Sequence, residues 1–262
     1  MDDRILRYRS ALAYNREVFL IERGEFMKAF SAVDYNFSEI IELPRTMRDG
    51  DGKSHVGLIP FVALLQRQSR AAFEAFAVYQ SYQAWVLLRP GIEALLIVGK
   101  WVDDPANAKV WQERKENSKA YQKAYQGRAL RSNSLPSSAE IQGVLSRIND
   151  DFVHANPDYY ERHFNVAADD PGYVNFWLDY FDEDSLQEAH TLAFLHLLLV
   201  MQEALAGLFS GLFTVPVALK SPLGLFNSTF AARMRDVASR SAESAKVLEQ
   251  LGLVALDGSS HT

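Results

Sequence analysis

Arg147 and His154 stand seven residues apart in the stretch from Ser146 to His154, with Asp150 and Asp151 between them. Seven positions are close to two turns of α-helix, so both side chains project from one face with the carboxylates on the same side. A histidine near its unperturbed pKa serves as base or acid at neutral pH, and neighbouring carboxylates orient it and raise its pKa. A guanidinium binds a phosphate or offsets the charge that builds on a phosphorane. Such a set suits metal-independent cleavage of RNA, with the 2′-hydroxyl as nucleophile. The same spacing has a plainer reading: Arg147–Asp151 and Asp150–His154 are i,i+4 pairs that stabilise a helix and do nothing else.

Three further groups carry charge or imidazole in places that invite chemistry. Arg89 and Glu93 lie one turn apart around Pro90 in an otherwise apolar stretch. They read either as a pair facing the His154 cavity or as a buried or half-buried ion pair that fixes helix register. Lys115, Lys119 and Lys123 repeat every four residues with Tyr121 and Tyr125 beside them. Such a basic stripe with aromatics either holds single-stranded RNA or is a solvated helix face. His190, His196 and Glu203 fall on the most apolar segment, without HExxH or ExxH spacing, and read as core groups; no metal site is expected.

The segments that must position these residues read with a helical period nearly throughout, with no alternating run like a half-buried strand. A helix or helix pair spans 4–43, with Leu12, Phe19, Phe26 and Phe30 facing inward. The spacing predicts a long helix over 57–88, which Pro90 then kinks or breaks. An exposed charged helix over 107–131 and a short helix carrying Arg147 follow, and the span 158–184 reads as irregular around the Asp169–Gly172 turn. Ser185-Leu186-Gln187-Glu188 has the form of a capping box, with Glu188 reaching back to the helix start. It opens the most hydrophobic helix, ending near Phe213. The last long helix has Leu223, Phe226, Phe230, Met234 and Val237 as its inner stripe.

Composition sets the outer limits. The chain has 262 residues, room for a buried core, and its 48% hydrophobic and 23% charged residues match an ordinary soluble globular protein. The net charge of −6 argues against a dedicated duplex-DNA binder. With no cysteine, disulfides, thiolate metal sites and a cysteine nucleophile are excluded. The first residues lack the basic start and apolar run of a signal peptide, and the 192–213 segment carries Glu203 near its middle. A cytoplasmic protein with no membrane span is therefore expected.

An arginine followed by a histidine after a few intervening positions resembles the motif of the HEPN superfamily, helical-bundle domains found in toxins, defence systems and RNA-processing proteins. A second stretch, Ala84 to Pro105, resembles the arginine-to-glutamate helix, ending in Asp-Pro, of bacterial helical proteins grouped near HEPN. Phe152-Val153-His154 resembles the segment that ends a later helix in those proteins. The resemblance covers about Phe73 to His154. It implies a ribonuclease that acts as a dimer, with paired motifs forming one composite cleft. Arg147 would bind the scissile phosphate and His154 would act as general base or acid.

The expectation is thus one all-α domain over 1–256, an HEPN-like bundle of about six to eight helices, with a disordered tail over 257–262. Two functions remain open. One is a metal-independent ribonuclease of toxin or defence type, working through Arg147, His154, Asp150 and Asp151. The other is a non-catalytic module that binds a nucleotide, RNA or a protein. Arg89, Glu93, Lys115, Lys119 and Lys123 are the expected binding residues, a homodimer is the expected assembly, and no cofactor is expected.

Overall fold

The computed structural model describes residues 3–46, 56–153, 163–170, 173–216, 219, 223–250 and 253. Among those residues the regular structure is helical apart from one hairpin. Its α-helices are α1 (Asp3–Glu22), α2 (Gly24–Glu42), α3 (Ile59–Ala77), α4 (Ser81–Asp103), α5 (Ala106–Gln112), α6 (Ser118–Tyr125), α7 (Ser138–Ile148), α8 (Asp184–Ser210), α9 (Leu223–Arg240) and α10 (Ala242–Gln250). The described residues therefore hold ten α-helices where six to eight were expected, because segments read as single helices are divided by turns.

α8 is the axis of the fold. Its residues from Leu186 to Met201 are all buried, with α2, α3, α4, α9 and α10 packed around it. It is long and apolar enough to cross a membrane, but 83% of its most apolar window is covered by the rest of the chain. The surrounding helices contribute stripes spaced three and four residues apart, which is what places side chains on one helix face. On α2 these are Phe26, Phe30, Val33, Phe37 and Ile40, and on α9 Phe226, Phe230, Met234 and Val237. Phe30 stacks on Phe73 at 4.1 Å between ring centres, and Phe76 meets Phe194 at 4.9 Å. Of the inward positions expected on α1, Phe19 is fully buried and Leu12 half-buried.

The break in the predicted 57–88 helix comes at Val78–Gln80, not at Pro90. Tyr79 takes the left-handed conformation (φ 63°), where a side chain is strained. Tertiary contacts hold it there. Its hydroxyl donates to Asp184 Oδ1 (2.9 Å), and its carbonyl accepts the Asp182 N–H (2.9 Å). Burial, then the bond to Asp184, raise the Tyr79 pKa far above its ordinary value. α4 runs unbroken through Pro90. The carbonyl that loses its donor belongs to Val86, an exposed residue, so water can reach that side of the helix. Gly91, next along, lets α4 approach the α3 backbone: a Cβ there would stand 3.2 Å from Leu65 Cα.

At its other end α4 carries the loop before α7. Asp103 accepts the N–H groups of Asn133 (2.9 Å) and Ser134 (2.8 Å). Burial pushes the Asp103 carboxyl up, but the hydrogen bonds from Ser134, Asn133 and Ser132 outweigh it and hold the pKa below its ordinary value. Gly99 faces Ser132 and Leu135 so closely that a Cβ would lie 2.7 Å from Ser132.

Two more expectations are corrected. The span read as irregular contains an antiparallel hairpin of β1 (Phe164–Asp170) and β2 (Tyr173–Leu178), with Phe164 opposite Leu178 and a register shift between Ala167 and Asp170. Aromatic and β-branched residues in both segments favour such pairing. At the start of α8, Glu188 does not reach back to cap the helix. It is fully buried and surrounded by Arg23, Arg233 and Arg240, and the N-cap position, Glu183, makes no side-chain cap.

Candidate functional site

α7 runs from the Asp103-bound loop back along α4, and its last turn lies beside Trp85 and α10. Glu140 stands in its first turn and Arg147 in its last, where each favours the helix dipole. At Asn149 the winding widens to a π-turn, Asn149–Val153. In i→i+5 winding each residue advances less around the axis, so positions that align in an α-helix fall out of line. Arg147 makes no ion pair with Asp151, nor with any other described residue. His154 itself lies outside the described residues.

What the fold brings to Arg147 is a different imidazole. Arg147 and Asp151 line a small cleft of about 40 Å³ with His190 of α8, walled by Trp85, Val144, Ile148, Phe152, Val247 and Gln250. Asp150, fully on the outside, is not part of it. The Trp85 indole N–H donates to His190 Nδ1 at 3.1 Å. An indole is only a donor, so Nδ1 holds a lone pair and the proton of the neutral ring sits on Nε2. Nδ1 of His190 is thus engaged by Trp85. Phe152 closes over the same group, 6.2 Å from Trp85 and 6.1 Å from His190 between ring centres.

Arg89 and Glu93 form a half-buried ion pair of 2.8 Å. Arg89 Nε also donates to Asn149 Oδ1, which ties α4 to the first residue of the π-turn. The pair therefore stands behind the cleft and supports it; neither residue lines it.

The basic stripe is dismantled. α5 ends at Gln112, and Asn117 caps α6 by accepting the Ala120 N–H at 3.2 Å, so Lys115 lies in the turn between two helices. Lys119 and Lys123 are on α6, and all three lysines are exposed. Tyr125 is no stacking platform. It is buried, donating to the Asn107 carbonyl (2.6 Å) and accepting from Trp101 (3.0 Å), and burial pushes its pKa up to about 12. α6 packs at the Trp101 end of α4, whereas the Arg147 cleft lies at the Trp85 end. Sixteen residues of helix separate those ends by about 24 Å.

Sequence reasoning placed Arg147 and Asp151 at a common site and missed His190 and Trp85. Local spacing carries no signal for that meeting, because the three segments are joined only by packing. Comparisons of the chain with models of protein families, with curated proteins and with solved structures found no match.

Proposed function

We propose that this chain is a non-catalytic, HEPN-like helical module, working as a cytoplasmic homodimer, that holds one phosphate group of a nucleotide or RNA strand in the Arg147 cleft. One observation carries the reading. Arg147 is half-buried in a concave site, and among the described residues it has neither a counter-ion nor a hydrogen bond. A guanidinium withdrawn from water without a partner is costly, and a phosphate oxygen satisfies it with charge-assisted hydrogen bonds. At roughly 30 Å³ each, about 40 Å³ accommodates little more than one water-sized group, which suits one phosphate oxygen and excludes a whole base.

The ribonuclease reading has one observation in its favour: Arg147 and Asp151 share a cleft on the segment that leads into His154. Against it, His190 is not available as a base at Nδ1, and the exposed lysines lie at the far end of α4. The test is binding of a fluorescein-labelled single-stranded RNA by anisotropy, together with its cleavage in EDTA, for wild type, Arg147→Ala and His154→Ala. The module reading expects salt-sensitive binding without cleavage, weakened at least tenfold by Arg147→Ala alone. Cleavage by wild type that both substitutions abolish would replace it with the nuclease. Equal binding by wild type and Arg147→Ala would refute the cleft as the site.

A further inference from the structure

A second cavity lies on the other side of α8, about 350 Å³ in volume, between α2, α8 and α9. Its floor is Val33, Leu199, Phe226 and Phe230, and its mouth carries exposed Glu25, Lys28, Ala32 and Thr229. The volume is within the range of small-molecule sites. It corresponds to about twelve water-sized groups, at roughly 30 Å³ each.

The polar side chains of the wall discriminate among ligands. Glu25 is directed to Arg233 of α9, 3.7 Å away. Asn36 donates to the fully buried Gln202 at 3.2 Å, so the deep polar groups satisfy one another and ask nothing of a ligand. Thr229 has a partner of its own. Lys28 remains: a cation at the mouth with no ion pair or hydrogen bond among the described residues. An apolar floor of this size below one uncompensated ammonium complements an aliphatic chain that ends in an anion.

We propose that this groove binds a medium-chain aliphatic monocarboxylate of about eight to ten carbons, its tail on Phe226, Phe230, Leu199 and Val33 and its carboxylate at Lys28. An acid of that length has ten to twelve non-hydrogen atoms, which fills the space. The site is separate from the Arg147 cleft and does not depend on the phosphate reading.

The experiment is isothermal titration calorimetry of the full chain with decanoate and with decylamine, and sedimentation velocity on the same samples. Saturable one-to-one binding of decanoate is expected, with decylammonium at least tenfold weaker. Lys28→Glu should reverse that preference. Ala32→Phe, a substitution at an exposed position that fills the mouth without touching the core, should weaken decanoate at least tenfold while leaving the melting temperature unchanged. Ala29→Phe, deeper in the wall, should do the same if it folds. Equal affinity for acid and amine, binding unaffected by Ala32→Phe, or no heat with millimolar decanoate would each overturn the proposal. A dimer that Ala32→Phe dissociates, with no decanoate binding, would assign the groove to a second copy of the chain instead.

Discussion

Replacing Glu188 with glutamine should destabilise the protein more than removing Arg240 beside it. The carboxylate is fully buried, with Arg233 Nε hydrogen-bonded to one oxygen and Arg240 (3.0 Å) and Arg23 (3.2 Å) at the other. Glutamine preserves the volume but removes the charge and turns an NH₂ group towards one or two of the guanidiniums. Breaking one side of a buried ion pair costs about 3–5 kcal/mol, since the remaining charge is stranded. Here relief is partial. The side chains of Arg233 and Arg240 are 32% and 36% exposed and can turn to water, and Arg23 keeps Asp184 at 2.8 Å. The lower end of the range, about 3 kcal/mol, is therefore expected. With an unfolding entropy of about 2.1 cal/mol/K per residue over 262 residues, that is a fall in Tm of about 5 °C. Arg240→Ala is the control. It removes one of three partners from a partly exposed position and should cost less than about 1 kcal/mol, or about 2 °C. Differential scanning calorimetry of the two variants decides the matter. A Tm for Glu188→Gln within 1 °C of wild type, or a loss in Arg240→Ala that equals it, would refute the idea that the buried carboxylate organises this cluster.

Gly99→Ala should lower stability by about 1–3 kcal/mol, because the new methyl would stand 2.7 Å from Ser132 and force the α7 loop off α4; urea unfolding reads this as a lower midpoint with unchanged slope. His196 supplies a pH dependence. Burial lowers its pKa below the ordinary 6.5, and a hydrogen bond with Asn227 offsets part of that. The unfolded chain then takes up the proton first, so stability is full above about pH 6.5, falls as pH drops towards the folded value, and levels off below it. Melting temperatures at pH 7.5 and pH 5 should show a smaller acid-induced loss in His196→Gln than in wild type; equal losses would assign the effect to other groups.

Much of the helical framework is legible in the chain as written. The stripes of α2 and α9 follow from three- and four-residue spacing, and the length and apolarity of α8 mark it as the central element. Those signals are local, set by which side chains share a helix face. The misreadings have a common cause. Tyr79 breaks a helix although nothing in its type demands it, because Asp184 and Asp182 hold its strained backbone from a distant part of the chain. Asn117, by contrast, was a readable cap, and the four-residue lysine repeat hid it.

The candidate site divides along the same line. Sequence alone determined that a guanidinium and a carboxylate would lie close together around the end of α7, and that Arg89 and Glu93 would pair across one turn, because both relations span only a few residues. It could not determine that Arg147 would have no ion pair among the described residues, that Glu188 would turn inward to three arginines, or that His190 would share a cleft with Arg147 with its Nδ1 already taken by Trp85. Those outcomes depend on which helices pack together and which groups they cover, and burial and partner geometry are properties of the packed whole that no short window of sequence contains.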